Sequence, residues 1–135
     1  MTKEETQAFV DKFMASFDVG DMNAIASFYA SDYVNRTPYP GAADDFAGHN
    51  AFVTAASPFL EFVSSDTIET IVGEGTATIL SSNRFRIRES GEEFDAFGYA
   101  VIKLRDGLIV ENWGGYDVVA AFKMFNAGVS VNADA

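Results

Sequence analysis

Helical and strand-like patterns occupy separate parts of this chain. Phe9, Phe13 and Phe17 recur every four residues near the start, which places them on one face of a helix. After Ser65, apolar and polar residues alternate as they do in half-buried strands. A block of helices followed by a block of strands predicts an α+β fold, because a parallel doubly wound sheet would alternate the two.

The first two helices have recognisable end signals. Thr2 and Glu5 fit a capping box, in which each side chain satisfies a backbone N–H of the first turn. Gly20 is expected to end the first helix and Asp21 to cap the second. The apolar residues of the second helix are Ile25, Phe28 and Tyr29.

The segment from residue 32 to residue 48 is expected to be irregular, because prolines and glycines interrupt it. A third helix should follow, with a bend at Pro58. Its apolar residues are Phe52, Val53, Ala56, Leu60 and Val63. Together with the first two, it gives three N-terminal helices.

The second half predicts about four antiparallel strands, over residues 67–72, 76–88, 94–105 and 108–113. Asp106-Gly107 is a strong signal for a two-residue hairpin. A short helix over residues 117–125 closes a single domain of residues 1–126, and residues 127–135 are expected to form a mobile tail. The second strand carries Arg84, Arg86 and Arg88 on one face, where we expect pairing with carboxylates such as Glu111.

The composition excludes several classes of function. The chain has no cysteine, so it has neither disulfides nor thiolate chemistry. Its net charge of −11 argues against nucleic acid and anionic membranes, since both attract Lys and Arg. One histidine and no calcium-loop spacing predict no metal site, and no cofactor motif is present. The chain shows no signal-peptide pattern and no bilayer-spanning stretch, so we expect a cytoplasmic protein.

Two local strings resemble one protein family. Residues 27–35, SFYASDYVN, resemble the LYADDYVNH segment of SnoaL-like proteins, and residues 105–113, RDGLIVENW, resemble their KDGKIVEHW hairpin. Residues 117–126 are similar to the terminal helix of that family. The resemblance implies the cone of the nuclear transport factor 2-like superfamily, in which a curved sheet wraps around a long helix and three helices close an apolar cavity.

Relatives of this fold include polyketide cyclases, ketosteroid isomerases, dehydratases, epoxide hydrolases and noncatalytic binding domains, so the fold does not choose a function. The resemblance places the cyclase aspartate at Gly114 and the cyclase histidine near Ala100, and retains only the cyclase asparagine, as Asn35. It places the isomerase base at Thr37 and its oxyanion tyrosine at Phe13. Glycine, alanine, threonine and phenylalanine cannot replace those groups, so neither standard activity is expected.

The remaining polar candidates each have two interpretations. Asn35 and Asn112 could bind a ligand carbonyl, or they could satisfy a local turn and a neighbouring side chain. Asp117 and His49 are the candidate acid/base groups. The alternative for Asp117 is helix capping, and the alternative for His49 is a cap or an exposed position near the third helix. Arg36 could bind a ligand carboxylate or form a surface salt bridge. The apolar residues expected to line a cavity are Phe13, Phe17, Tyr29 and Phe52.

Two functional hypotheses stay open. The first is a cofactor-independent enzyme that isomerises, cyclises or dehydrates an apolar carbonyl compound by proton transfer. The second is a noncatalytic domain that binds an apolar ligand or mediates dimerisation. In either case we expect a homodimer through the outer face of the sheet, where Tyr99, Val101 and Trp113 supply apolar surface.

Overall fold

The computed structural model describes residues 1–19 and 22–131. It forms a five-stranded sheet in the order β1-β5-β4-β3-β2, accompanied by four helices in the described residues. The elements in chain order are α1 (Lys3–Val19), α2 (Met22–Ala26), β1 (Tyr29–Asn35), α3 (Phe46–Ala56), β2 (Leu60–Val72), β3 (Thr76–Ile87), β4 (Glu93–Arg105), β5 (Leu108–Tyr116) and α4 (Val118–Asn126). This is the predicted α+β cone.

The capping box at the start of α1 is confirmed. The backbone N–H of Thr2 donates to the Glu5 carboxylate, and the backbone N–H of Glu5 donates to the Thr2 hydroxyl, both at 3.1 Å. The helix begins at Lys3 because these two bonds satisfy N–H groups that have no partner in the first turn. The predicted end at Gly20 and cap at Asp21 lie outside the described residues.

The sheet has a fifth strand where the sequence predicted helix and loop. Tyr29 begins β1 and does not belong to the second helix, and β1 runs through the start of the segment expected to be irregular. This strand pairs in parallel with β5, with Tyr29 opposite Ile109 and Asn35 opposite Asn112. The sheet is therefore mixed and not wholly antiparallel. Pairing with a distant segment decides this conformation, and local pattern does not reveal such a pairing.

The third helix is shorter than predicted, and the strand after it begins earlier. α3 ends at Ala56, and residues 57–59 form a turn around Pro58, so the proline terminates the helix and does not bend it. Leu60 and Val63 belong to β2, which pairs with β3 along its whole length. The long ladder with β3 supplies hydrogen bonds that a continued helix could not make beyond the proline.

The hairpins follow the predicted turns. Asp106 and Gly107 have φ angles of 53° and 77°, the left-handed pair that suits a two-residue hairpin. Register shifts interrupt the pairing of β2 with β3 at two points and the pairing of β4 with β5 at one point. Such irregularities bend strands, and the bent sheet has an inner face that carries the core.

The core consists of two clusters on this inner face. The first lies beneath α1 and contains Val10, Phe13, Tyr33, Ala77, Ile79, Ile102 and Ile109. The second lies beneath α4 and contains Leu60, Phe94, Ala96, Ala120, Met124 and Val129. Val129 keeps only 1% of its surface exposed, so the packed chain continues beyond residue 126, where the sequence placed the domain boundary. Residues 132–135 of the expected tail lie outside the described part of the chain.

The outer face carries the arginine stripe of β3, with partners different from those expected. Arg84 pairs with Asp95 at 3.0 Å, and Arg86 pairs with Glu61 at 2.9 Å. Glu111, the partner suggested from sequence, lies instead beside Arg36 and Lys103. The cause is strand order: β3 is flanked by β2 and β4, so β5 is one strand too far from its arginines.

No helix in the described residues is long and apolar enough to cross a membrane.

Candidate functional site

A row of small and polar residues crosses the inner face of the sheet between the two core clusters. Ser81 of β3 is paired with Gly98 of β4, and Gly98 is paired with Tyr116 of β5. Along β4, Ala96 on one side belongs to the second cluster and Ile102 on the other side belongs to the first. Bulky apolar side chains are therefore replaced, in the middle of the sheet, by a serine, a glycine and a tyrosine.

Gly98 lets the polar side chains of this row approach the backbone of β4 closely. A Cβ atom added at Gly98 would lie 2.8 Å from Nδ2 of Asn83 and 3.0 Å from Oγ of Ser81. It would also lie 3.5 Å from Cε1 of Tyr116. Since the first two distances are shorter than ordinary carbon contacts, any side chain here would displace the amide or cover the hydroxyl.

Asn83 is the centre of a short hydrogen-bond network on the same face. The Ser65 hydroxyl donates to Oδ1 of Asn83 at 2.8 Å. Nδ2 of Asn83 donates to Oγ of Ser81 at 3.1 Å and to the backbone oxygen of Ala96 at 3.3 Å. Both N–H groups of the amide and one of the two lone pairs of Oδ1 are thus engaged, which fixes the orientation of the side chain.

Tyr116 ends the row at the end of β5. Its ring packs edge-on against Phe85, with centroids 5.9 Å apart, and 36% of its surface stays exposed. Desolvation nevertheless raises the pKa of its phenol. Protein atoms thus surround part of the Tyr116 side chain, and solvent reaches the rest.

Asn112 lies on the inner face of β5, close to the Tyr33 side chain. Burial raises the pKa of Tyr33 to about 12, and a hydrogen bond with Asn112 partly opposes this increase. Burial also raises the pKa of Tyr29, whose ring lies 4.8 Å from that of Tyr33. Tyr33 is thus the neighbouring side chain closest to the partner role that is one of the two interpretations of Asn112.

Asn35 holds a turn at the end of β1. Its Oδ1 accepts the backbone N–H of Thr37 at 3.0 Å, as an Asx turn requires. The Thr37 hydroxyl in turn lies 2.7 Å from both the backbone nitrogen and the backbone oxygen of Gly114. Asn35 and Thr37 thus attach the chain after β1 to the inner edge of β5.

Asp117 caps α4 and joins it to β4. One carboxylate oxygen accepts the N–H of Ala120 at 3.2 Å, and the other accepts the N–H of Phe97 at 2.9 Å. The backbone N–H of Asp117 donates to the Phe97 oxygen at 2.9 Å. Both carboxylate oxygens are engaged with backbone donors, an arrangement that suits a structural cap.

His49 lies on α3 in an apolar environment. Its ring packs 5.9 Å from that of Phe46, and desolvation lowers its pKa, so the imidazole is neutral near pH 7. The next residue, Asn50, has a buried side-chain oxygen without a partner among the described residues. A buried acceptor of this kind calls for a donor from a water or a ligand.

Arg36 forms a surface ion pair. Its Nε lies 2.7 Å from a carboxylate oxygen of Glu111, and half of its side chain is exposed. Its backbone N–H donates to the Asn112 oxygen at 2.8 Å, which continues the contact between β1 and β5. The guanidinium therefore has a carboxylate of this chain as its partner.

A family model for the SnoaL-like domain matches residues 10–112, which is more than half of the chain. The chain belongs to the SnoaL-like domain family. No curated protein matches the sequence at a significant level.

Solved structures support the same fold. An NTF2-like protein from Burkholderia xenovorans LB400 aligns with a TM-score of 0.70 and 18% identity, covering 92% of this chain and 98% of that one. AclR from Streptomyces galilaeus, provisionally assigned as a hydroxylase, aligns with a TM-score of 0.73 and 12% identity, covering 93% of this chain and 98% of that one. A provisionally assigned SnoaL-like polyketide cyclase from Mesorhizobium loti aligns with a TM-score of 0.63 and 14% identity, covering 82% of this chain and 97% of that one. At these identities the similarity shows the SnoaL-like fold alone.

The apolar residues predicted to line a cavity have different environments in this SnoaL-like domain. Phe13 is 6% exposed in the first core cluster, whereas Phe17 is 45% exposed and touches it edge-on. Tyr29 packs between Tyr33 and Phe46, and Phe52 packs on Tyr39 at 4.7 Å. Of the four, Phe13 and Tyr29 lie in or against the first cluster and Phe52 against the second.

Sequence reasoning missed Ser81, Asn83, Gly98 and Tyr116. A signal was available for two of them, because strand alternation places Ser81 and Asn83 on the same face as Phe85, opposite the arginine stripe. Gly98 and Tyr116 can be recognised as part of the row only from the pairing of β4 with its two neighbouring strands. That pairing brings the four residues together.

Proposed function

We propose that this SnoaL-like domain binds an uncharged, largely apolar small molecule on the inner face of its sheet. The observation that carries the proposal is the row of Ser81, Gly98 and Tyr116 between two apolar clusters. Core positions in the middle of a sheet normally hold bulky side chains that interdigitate. Two of the three residues, Ser81 and Gly98, are small, so our proposal places the ligand over this row, with the flanking clusters as apolar walls.

The polar groups around the row suit a neutral ligand. They are hydroxyls and amides. Asp117, the residue after Tyr116, has both carboxylate oxygens engaged by backbone N–H groups. Uncharged donors bind a carbonyl or ether oxygen without the cost of burying a charge. We therefore propose a ligand-binding role in which Asp117 is structural.

A second candidate, proton-transfer catalysis on a carbonyl compound, is favoured by one observation. Desolvation keeps His49 neutral near pH 7, which is the protonation state of a general base. The unpartnered oxygen of Asn50 next to it could accept a hydrogen bond from the same substrate. If this role is correct, His49→Gln abolishes turnover of an enolisable ketone while leaving its affinity nearly unchanged.

Binding can be tested with prodan, a naphthalene ketone whose emission shifts to the blue in apolar surroundings. We expect saturable binding to the wild-type chain. Gly98→Leu, which fills the row, should abolish it, whereas Ser82→Leu, which adds the same side chain to the outer face of β3, should not. Ser81→Leu is a second filling variant, and circular dichroism checks that each variant is folded. Equal binding by the inner-face and outer-face variants would refute the proposed site.

We also propose a homodimer through the outer face of the sheet. Tyr99 is 41% exposed there and Phe97 is 42% exposed, beside half-buried Val101 and Trp113. Exposed aromatic surface of this kind is typical of interfaces between subunits. Light scattering at micromolar concentration should give twice the mass of the chain, and Tyr99→Glu should shift the protein to the monomer.

A further inference from the structure

We propose that the exposed face of α4 binds a second copy of this chain, with the two helices packed antiparallel about a two-fold axis. This face consists of Val118, Val119, Phe122 and Phe125, and we call it the α4 strip. Each of the four residues keeps between 60% and 67% of its surface exposed. Packing within the single chain does not account for such a patch, and patches of this kind mark interaction sites.

The α4 strip lies on the side of the helix that faces away from the sheet. On the opposite side of α4, Ala120 and Met124 are buried in the second core cluster. Val118, Phe122 and Phe125 are spaced by four and then by three residues, which places them on one side of a helix. This is the spacing with which helices pack against each other in coiled coils, so the strip suits a helical partner.

The charges around the α4 strip are neutralised within the chain. The strip has no charged side chain, and Lys123, the charged residue of α4, lies 2.7 Å from a carboxylate oxygen of Glu92. Asp117, which precedes the helix, has both carboxylate oxygens engaged by backbone N–H groups. A second copy therefore brings no unpaired charge to this contact. An anionic membrane surface, in contrast, would be repelled by the net charge of −11.

A second α4 is the partner whose surface matches the strip. A helix that packs on the strip must itself expose bulky apolar residues at the same spacing. Among the described residues, α1 and α3 each expose one such residue, Phe17 and Val53, whereas α4 exposes four. Residues 132–135 are Asn-Ala-Asp-Ala and contain no bulky apolar side chain that could cover the strip. The α4 strip thus fits another copy of itself.

The antiparallel orientation follows from the dipoles and from side-chain size. The N-terminus of each helix then lies beside the C-terminus of the other, where the partial charges attract. Phe122 lies next to the two-fold axis, and Val118 faces Phe125 of the partner subunit. A valine opposite a phenylalanine allows the side chains of the two helices to interdigitate.

The area of the contact fits a dimer that dissociates on dilution. Phe59 extends the apolar surface beyond the end of α4, because its exposed ring lies against Gly128. With Phe59, each copy offers on the order of 500 Å² of apolar surface, since a phenylalanine side chain has about 200 Å². Two copies would bury about 1,000 Å², which is the lower limit for a specific interface. We therefore expect the association to depend on concentration.

Light scattering at two concentrations tests the contact. Tyr99→Glu is the starting variant, because it removes the contact proposed above for the outer face of the sheet. Its mass should double between about 10 μM and about 1 mM. Adding Phe122→Glu should halve the mass at the higher concentration, because the two carboxylates would meet at the axis. Adding Ile68→Glu, at a comparably exposed residue of β2, is the matched control and should leave the doubling unchanged.

Disulfide cross-linking tests the antiparallel register, since the chain has no cysteine of its own. Phe122→Cys should form a covalent dimer on mild oxidation, because both copies of this position lie beside the axis. Val118→Cys alone should not, because its two copies lie about 10 Å apart along the helices, beyond the ~7 Å limit for a disulfide. Mixing Val118→Cys with Phe125→Cys should give the covalent heterodimer. Ile68→Cys measures the yield from random collisions.

Three results would overturn the proposal. If Phe122→Cys cross-links no more than Ile68→Cys and the mass does not rise with concentration, α4 does not bind a second copy. If Val118→Cys cross-links with itself as well as Phe122→Cys does, the helices are not antiparallel. If Phe122→Glu leaves the mass unchanged but abolishes binding to phosphatidylcholine vesicles, the strip contacts lipid instead. A covalent heterodimer together with the halved mass supports the α4 contact.

Discussion

The Thr37 hydroxyl lies 2.7 Å from both the backbone nitrogen and the backbone oxygen of Gly114. One hydroxyl thus accepts the N–H and donates to the C=O of the same residue. Thr37 and Gly114 are also the positions at which the resemblance placed the isomerase base and the cyclase aspartate. In this chain the Thr37 hydroxyl bonds to the backbone of Gly114, and neither residue has a titratable side chain.

We expect Thr37→Val to destabilise the domain, because it leaves both polar groups of Gly114 without this partner. The loss should be about 1 kcal/mol, since these bonds are near the surface and water can partly replace them. Thr37→Ser retains the hydroxyl and should stay close to wild type. Urea unfolding followed by circular dichroism measures the difference; equal midpoints for Val and wild type would show that the contact contributes nothing.

Asp117 offers a prediction that separates capping from chemistry. Asp117→Ala should lower the free energy of unfolding by about 1–2 kcal/mol, because it removes the cap of α4 and the acceptor for the Phe97 N–H. Asp117→Asn keeps one side-chain oxygen, so it should lower the free energy of unfolding by less. Affinity for prodan should be nearly unchanged in folded Asp117→Asn. A large loss of turnover on any ketone substrate with full stability would instead identify Asp117 as an acid/base.

Two glycines of the inner face should respond differently to alanine. An added Cβ at Gly114 would meet the backbone oxygen of Tyr99 at 2.9 Å, whereas at Gly98 it would meet the movable side chains of Asn83 and Ser81. A backbone atom in a sheet cannot move without breaking its ladder, so Gly114→Ala should lower the unfolding free energy by about 1–3 kcal/mol. Gly98→Ala should lower it less but weaken prodan binding more. The reverse ranking in paired unfolding and binding titrations would contradict this assignment.

Short-range signals in the sequence predicted the structure well. The capping box of Thr2 and Glu5 and the Asp106-Gly107 hairpin depend on residues only a few positions apart, and both were confirmed. The predicted cone followed from a family resemblance carried by such local strings. Physical interactions between near neighbours are visible in sequence because the spacing itself fixes their geometry.

Features that depend on distant pairing were not predicted. β1 exists because Tyr29 and Asn35 lie beside Ile109 and Asn112, at the far end of the chain. The candidate site has the same character, because Gly98 acquires its role only between Ser81 and Tyr116. Alternation can show that a residue faces inward, but it cannot show which residues of other strands it meets.

The pH dependence of stability should report the burial of His49. Desolvation lowers its pKa from the ordinary value of 6.5, so the folded protein keeps His49 neutral at a pH where the unfolded chain has already protonated it. In that interval the unfolded state binds more protons. The free energy of unfolding therefore falls as pH decreases below about 6.5 and levels off once the folded protein is protonated as well.

The comparison of wild type with His49→Gln isolates this contribution. Urea midpoints measured at about pH 7.5 and about pH 5.5 should differ for wild type and differ less for the variant. The carboxylates of Asp32 and Glu5 do not interfere, because their hydrogen bonds lower their pKa values further below this range. A wild-type midpoint that is the same at both pH values would mean that His49 is solvated, and it would remove the neutral base on which the catalytic candidate depends.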